Sequence, residues 1–72
     1  MSSLPSKVMV LVEILLETGD NAGIRELALR TGIPKSTVQR ILDSLKENGW
    51  VYQDSKTQNY RIGFKLLSMT NS

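Results

Sequence analysis

The segment Gly32-Ile33-Pro34 constrains this chain most, because it ends one predicted helix and begins another within three residues. Glycine adopts the left-handed backbone that closes a helix without steric cost. Proline suits the first helical position, since its φ is preset and its missing N–H needs no partner. Apolar residues recur at helical spacing on both sides of this segment: Ile24, Leu27 and Ala28 before it, and Val38, Ile41, Leu42 and Leu45 after it.

Three residues of this region match the requirements of a helix-turn-helix. Ala28 is small where two helices must approach closely, Gly32 follows in the turn, and the β-branched Val38 packs back on the first helix. Each signal is weak alone, but their spacing together favours a DNA-reading helix pair. An ordinary helical hairpin is the alternative, because such pairs are common.

Length and composition exclude several classes of function. The chain has 72 residues, which is one small domain with a marginal core, and it contains no cysteine and no histidine. We therefore expect no disulfide, no His or Cys metal site, no cofactor, no catalytic residues and no enzymatic activity. The longest apolar run, Val8 to Val12, is too short to span a membrane, and no secretory signal is evident, so a cytoplasmic location is expected.

The charge distribution is uneven. Residues 1–32 carry a net charge of −1, whereas residues 33–72 carry +3. The basic excess lies in the half that contains the second helix of the pair, which modestly favours a polyanionic partner.

A further helix is predicted ahead of the pair, from about Lys7 to Thr18, with Ser6 as its N-cap. Its core stripe is expected to comprise Val8, Leu11, Val12 and Leu15, widened on one flank by Met9 and Leu16. Val10 and Ile14 lie roughly opposite, where a self-association surface and simple exposure are equally good interpretations.

Short strands and turns are predicted around the helix pair. Residues 19–21 have turn composition, residues 22–24 suit a very short strand, and Gly49 suits a left-handed helix cap. Residues 50–52 and 60–62 are strand formers, and the polar residues 53–59 between them make a β-hairpin, or wing. Trp50 is expected mainly to pack in the core and hairpin.

The predicted fold is therefore mainly α with a small β-hairpin: a winged helix-turn-helix with a three-helix core, a wing and a short C-terminal helix over 64–69. We expect a disordered lead-in over 1–6, the folded domain over 7–69 and a frayed end over 70–72.

The recognition helix, predicted over about 34–48, carries the candidate DNA-binding residues. With its apolar side buried, its polar face and first turn present Lys35, Ser36, Thr37, Gln39 and Arg40. Arginine pairs bidentately with guanine and glutamine with adenine, while hydroxyls and free N–H groups suit phosphate. A surface salt bridge to Asp43 is the alternative role for Arg40, and helix pairing with Lys46 is the alternative role for Asp43.

In the wing, Lys56 and Arg61 are the charged candidates for contact with the DNA backbone or minor groove. Gln58 and Asn59 are possible hydrogen-bond donors there, although a solvated loop explains them nearly as well.

The stretches IRELALRTGIPKSTVQRILDSLKENGWV and YRIGFKLL resemble the N-terminal DNA-binding domain of the isocitrate lyase regulator (IclR) family, over about residues 5–69. The resemblance implies a bacterial or archaeal transcriptional regulator, a repressor or an activator, that binds operator DNA as a dimer or higher oligomer; we expect a repressor and a homodimer. The resemblance also implies DNA contact by four residues of the recognition helix, Ser36, Thr37, Gln39 and Arg40, and by Lys35 at the helix start. Family members usually continue into an effector-binding domain, so no small-molecule effector is expected to bind within this chain. Histidine is common where Gln39 stands, and the wing lacks a glycine often found there.

Two functions remain open on the sequence alone. The first is sequence-specific binding of double-stranded DNA, with the recognition helix in the major groove. The second is a winged-helix protein-interaction module without DNA readout, which the fold does not exclude.

Overall fold

The structure is a computed structural model that describes residues 4–18, 22–65 and 68. It contains the helices α1 (Leu4–Thr18), α2 (Ile24–Thr31) and α3 (Lys35–Glu47), followed by the strands β1 (Val51–Gln53) and β2 (Tyr60–Ile62). The two strands form an antiparallel hairpin. The predicted mainly helical fold with a small hairpin is confirmed, and α2, α3 and the hairpin are arranged as a winged helix-turn-helix.

Helix α1 begins earlier than predicted. Its first residue is Leu4, so Ser6 lies inside the first turn and the assignment of Ser6 as the N-cap is wrong. The predicted lead-in over 1–6 is therefore helical from Leu4 onward. Residues 1–3, the predicted turn at 19–21 and the predicted frayed end at 70–72 lie outside the described residues.

The buried stripe of α1 is centred differently from the predicted one. Leu11 and Leu15 are fully buried, and Val8 and Ile14 pack against the same core. Met9 and Leu16, however, are 67% and 51% exposed, so the prediction that they widen the core is wrong. At about 100° per residue, Ile14 lies on the side of Leu11 away from Met9 and Leu16, so one helix cannot bury both flanks. Contact of α1 with α2 and β2 selects the Ile14 flank.

The turn between α2 and α3 has the predicted glycine and proline, but α3 begins one residue later than predicted. Gly32 has φ +73°, and its N–H donates to the carbonyl oxygen of Ala28 at 2.9 Å, which closes α2. The carbonyl oxygen of Pro34 accepts from the N–H of Val38 at 3.0 Å, so Pro34 is the N-cap of α3, one residue before its predicted place inside the helix. Ile33 is buried between them and anchors the turn in the core.

Helix α3 buries the side that its periodicity predicted. Val38, Ile41 and Leu42 are buried and Leu45 packs against the core beside them. The helix ends at Glu47 with Asn48 as its C-cap, and Gly49 has φ +76°, which confirms the predicted left-handed glycine at this end. This burial leaves the opposite, polar side of the helix exposed to solvent.

Tyr60 is the aromatic residue of the core. It is 2% exposed, and its N–H donates to the carbonyl oxygen of Ala22 at 2.7 Å in an isolated β-bridge. The predicted short strand at 22–24 is thus a single bridge, because α2 already begins at Ile24. Trp50, expected to pack in the core and hairpin, is half-buried and precedes β1, whereas Tyr60 is the aromatic residue that is fully buried.

Gly63 lies in tight contact with the chain that leaves α3. Its N–H donates to the carbonyl oxygen of Trp50 at 2.7 Å, and a Cβ at Gly63 would lie 2.8 Å from the carbonyl oxygen of Gly49. Phe64, Lys65 and Ser68 are helical. The remainder of the helix predicted over 64–69 lies outside the described residues. Across the described residues, each helix is too short or too polar to cross a bilayer.

Candidate nucleic-acid interface

The first half of α3 presents a continuous polar surface. Lys35, Ser36, Gln39 and Arg40 are exposed, and Thr37 is half-buried. The side chains of Lys35 and Ser36 make no hydrogen bond or ion pair to any described residue, so both are available to a ligand. The structure therefore brings five of the seven predicted site residues together on one turn and a half of helix.

Arg40 is not held by a neighbouring acid. Within the described part of the chain Arg40 has no ion-pair partner, so the alternative of a surface salt bridge to Asp43 is wrong. Instead, Arg40 lines a cleft of about 310 Å³ between α1 and α3, together with Val8, Thr37 and Ser44. An unpaired guanidinium at the protein surface keeps all its donors available.

Asp43 and Lys46 have partners other than each other. The Nε2 of Gln39 donates to Oδ1 of Asp43 at 2.9 Å, and the Nζ of Lys46 donates to Oε1 of Gln53 at 3.1 Å. Asp43 and Lys46 therefore do not pair with each other along the helix. The Lys46 contact connects the end of α3 to β1 instead.

Gln39 also contacts the core. Its Nε2 donates to the hydroxyl of Tyr60 at 3.4 Å, across 21 residues of sequence. Because the Tyr60 ring is buried, this hydrogen bond connects an exposed side chain of α3 to a fixed residue of the hairpin.

The wing is closed by a carboxylate rather than by a glycine. Oδ1 of Asp54 accepts from the N–H groups of Lys56 at 2.7 Å and Thr57 at 3.1 Å. These two bonds, with a smaller contribution from the charge of Arg61, lower the pKa of Asp54. The chain then returns through Gln58, which has φ +66°. Such a φ is uncommon for residues other than glycine, and local hydrogen bonds hold it.

Side-chain bonds of Gln58 are directed into the wing itself. The Nε2 of Gln53 donates to the Oε1 of Gln58 at 2.9 Å, and the Nε2 of Gln58 donates to the carbonyl oxygen of Ser55 at 3.1 Å. This observation favours a structural role for Gln58 over its alternative role as a donor to DNA.

The two charged wing residues lie in different places. Lys56 is exposed in the turn that Asp54 closes. Arg61 lies on β2 opposite Tyr52, with its guanidinium carbon 5.8 Å from the centre of that ring. Since side chains alternate along a strand, Arg61 and Tyr52 are on the hairpin face opposite the buried Val51 and Tyr60. Arg61 is thus separated by the hairpin from the polar surface of α3.

Arg25 is a candidate that the sequence analysis did not identify. It is exposed in the first turn of α2 and lines a cleft of about 310 Å³ between α2, α3 and the wing, with Gln39, Thr57 and Asn59. Its position at the start of α2 could have identified it from the sequence, because the first helix of a helix-turn-helix crosses the DNA backbone. A basic residue there suits a phosphate oxygen.

The described residues contain no cluster of acidic side chains suited to a metal ion. No buried side-chain nitrogen or oxygen among them lacks a hydrogen-bond partner. The polar groups of the site therefore lie at the surface, an arrangement that suits recognition of a large ligand.

Comparison with known sequences agrees with this geometry. A family model described as the IclR helix-turn-helix domain matches residues 6–55. The HTH-type transcriptional regulator KdgR of Dickeya chrysanthemi is 35% identical over 66 residues, which is 89% of this chain and 22% of that protein. The transcriptional repressor IclR of Escherichia coli K12 is 29% identical over 62 residues, or 86% of this chain and 23% of that protein.

Solved structures show the same fold. HmgR of Pseudomonas aeruginosa superposes with a TM-score of 0.81 at 28% identity, over 89% of this chain and 26% of that one. An IclR family transcriptional regulator from Brucella abortus gives a TM-score of 0.85 at 24% identity, over 99% and 27% of the two chains. The chain thus spans about a quarter of the length of these relatives.

Proposed function

The chain belongs to the IclR helix-turn-helix family of transcriptional regulators, and on this premise we propose that it binds double-stranded DNA with sequence specificity. The observation that carries the proposal is the exposed first half of α3, where Lys35, Ser36 and Arg40 have no partner among the described residues. The relatives are transcriptional regulators, in agreement with the expectation that the chain is not an enzyme.

In the proposed complex α3 lies in the major groove with its N-terminal half toward the base edges. Arg40 suits the two acceptors of guanine, and Lys35 suits a guanine edge or a phosphate. Ser36 and Thr37 hydroxyls suit phosphate oxygens close to the helix start. Val38, Ile41 and Leu42 stabilise this arrangement from behind, because their burial fixes the rotation of the helix.

Contacts to the DNA backbone are proposed for Lys56 and Arg61 in the wing and for Arg25 at the start of α2. Arg25 lines the cleft that the wing residue Thr57 also lines, and Lys56 is the neighbour of Thr57, so both cations lie on the wing side of α3, where they suit one stretch of DNA backbone. Arg61 faces outward from the hairpin, so we expect its contribution to be smaller than that of Lys56.

The test is a mobility-shift titration with a random-sequence duplex pool, followed by selection of the bound sequences. Each neutralised phosphate contributes about 0.9 to the negative slope of log affinity against log salt. Four basic contacts, from Arg25, Lys35, Lys56 and Arg61, give an expected slope between about −3 and −4. Absence of a shift at low salt would instead favour the protein-interaction module, which the family membership does not support.

The oligomeric state and the choice between repression and activation are also proposals. We propose a cytoplasmic homodimer whose two recognition helices are separated by about 34 Å, one turn of DNA. Val10 and Ile14, or the last helix, were the predicted surface for it, but Ile14 packs against the core, which leaves Val10 with the exposed Met9 and Leu16 on α1. Sedimentation showing a monomer at high concentration, with and without DNA, would contradict this.

Repression is supported by the name of the Escherichia coli relative, and effector binding is expected to lie outside this chain.

A further inference from the structure

The amide nitrogen of Gln39 has two acceptors inside the protein. Its Nε2 donates to Oδ1 of Asp43 at 2.9 Å and to the hydroxyl of Tyr60 at 3.4 Å. A glutamine side chain has two N–H donors on that nitrogen and one carbonyl oxygen as acceptor. Only the oxygen Oε1 of this amide is then left for a ligand.

The orientation of the amide follows from the chemistry of its neighbour. An ionised carboxylate accepts hydrogen bonds and donates none, so the amide nitrogen, and not the oxygen, must face Asp43. Asp43 lies four residues after Gln39, which is the spacing at which helical side chains meet. The Tyr60 ring is 2% exposed, so its hydroxyl is a fixed second acceptor at the base of α3.

This arrangement changes what Gln39 can recognise. Bidentate pairing of glutamine with adenine needs one N–H for adenine N7 and the oxygen for the N6 amine. With the amide nitrogen turned toward Asp43 and Tyr60, the second of these contacts is the one that remains for a ligand. Adenine and cytosine present an amine in the major groove, whereas guanine and thymine present only acceptors at the corresponding atoms.

We propose that Gln39 selects an amino base, adenine or cytosine, over a keto base, guanine or thymine, at one position of one DNA strand. Oε1 of Gln39 accepts from the exocyclic amine, and Asp43 and Tyr60 are positioning residues that turn this oxygen toward the groove. The proposal rests on the proposed function, and it replaces the sequence expectation of bidentate adenine contact by glutamine.

Asp43 has a role in this scheme that its charge alone does not suggest. A carboxylate near the recognition surface repels phosphate, so its removal raises affinity for any DNA sequence. Its positioning role predicts a second, separate effect, since an amide released from Asp43 is able to rotate and donate to keto bases. Discrimination between bases, rather than affinity, therefore distinguishes the two roles.

The experiment selects bound duplexes from a randomised library with the wild-type chain and with Gln39→Ala, Asp43→Ala, Tyr60→Phe, Glu47→Ala and Arg40→Ala. Glu47→Ala is the matched control: it removes one negative charge from the same helix, at a residue two turns beyond Gln39 (about 12 Å along the axis). Tyr60→Phe keeps the buried ring and removes only the hydroxyl.

We expect the wild-type chain to enrich adenine and cytosine together at one strand position, and Gln39→Ala to lose that preference. Asp43→Ala should lower the amino-to-keto ratio there by up to about fivefold, because fivefold is the lower end for a bidentate pair and Gln39 makes a single contact. Tyr60→Phe should lower it less, because the 3.4 Å contact is the longer of the two. Glu47→Ala should leave the ratio unchanged while raising affinity for the whole pool.

Each outcome decides between the two proposals. A wild-type chain that enriches no sequence contradicts the proposed function itself. Enrichment that is sensitive to Arg40→Ala, but shows adenine alone or a keto base at the Gln39-dependent position, overturns only the inference on Gln39. An amino-to-keto ratio that Asp43→Ala and Glu47→Ala leave equally unchanged overturns the positioning role of Asp43.

Discussion

The backbone nitrogen of Tyr60 lies 2.7 Å from the carbonyl oxygen of Ala22, and this hydrogen bond joins the second strand of the hairpin to the segment that precedes the helix-turn-helix. The side chain of Tyr60 is buried in the core, and its hydroxyl reaches Gln39 on α3. One residue of the hairpin therefore joins the wing to the segment ahead of α2 and to α3.

Replacement of Tyr60 by alanine should destabilise the domain severely. Loss of a buried aromatic side chain costs about 3–5 kcal/mol, which is comparable to the whole stability of a small domain. Tyr52→Ala is the matched control, because Tyr52 is in the same hairpin but exposed, and its cation–π contact with Arg61 is worth about 0.5–1 kcal/mol. Urea denaturation followed by circular dichroism measures both. Equal losses at the two positions would contradict the central role given to Tyr60.

Substitutions at Gly63 and Gly32 should be destabilising for different reasons. A Cβ at Gly63 would lie 2.8 Å from the carbonyl oxygen of Gly49, a backbone atom, so overpacking should cost about 1–3 kcal/mol. At Gly32 the surroundings are open within 4 Å but φ is +73°, so a side chain costs only backbone strain, about 1–2 kcal/mol.

Asparagine separates the two cases, because it tolerates left-handed backbone but is larger than alanine. We expect Gly32→Asn to be more stable than Gly32→Ala, and Gly63→Asn to be less stable than Gly63→Ala. Thermal unfolding of the four variants gives the ranking. The same order at both positions would show that one mechanism operates at both.

The wing turn should lose order on acidification. The N–H groups of Thr57 and Lys56 hold the pKa of Asp54 below its ordinary value of 3.8. A carboxyl with a lowered pKa in the folded state stabilises that state above its unfolded pKa, and this contribution is lost as pH falls through the folded value. Amide NMR shifts of Lys56 and Thr57 should therefore titrate together, with a midpoint below 3.8.

Asp54→Asn is the control for this titration, since it keeps an acceptor oxygen but has no titrating charge. The two amide signals should then stay constant through the same pH range. A midpoint at or above 3.8 in the wild-type chain would contradict the stabilising role of these hydrogen bonds.

Arg40→Ala should weaken binding to a selected DNA sequence by about 1–3 kcal/mol and relax the preference at one base pair. Arg30→Ala is the control with the same change of charge, because Arg30 is already paired with Glu26 at 3.2 Å on α2. Fluorescence anisotropy with the selected duplex and with single-base variants of it measures both quantities. Comparable losses for the two arginines would indicate a general charge effect instead of base contact by Arg40.

The sequence by itself determined the elements and their faces. Helical periodicity located α2 and α3, Gly32 and Pro34 fixed the turn between them, and Gly49 fixed the end of the recognition helix. These features are local, because backbone freedom at glycine and proline and the spacing of apolar residues need no knowledge of distant partners. The exposed, polar first half of α3 followed from the same periodicity.

Only the tertiary structure decided which neighbours these elements have. The sequence offered two flanks of α1, and contact with α2 and β2 buried Ile14 while leaving Met9 and Leu16 exposed. Tyr60, not Trp50, became the core aromatic because the hairpin register directs it inward, beside Ala22. The engagement of Gln39 by Asp43 and Tyr60 likewise depends on a contact across 21 residues of sequence, which no local pattern encodes.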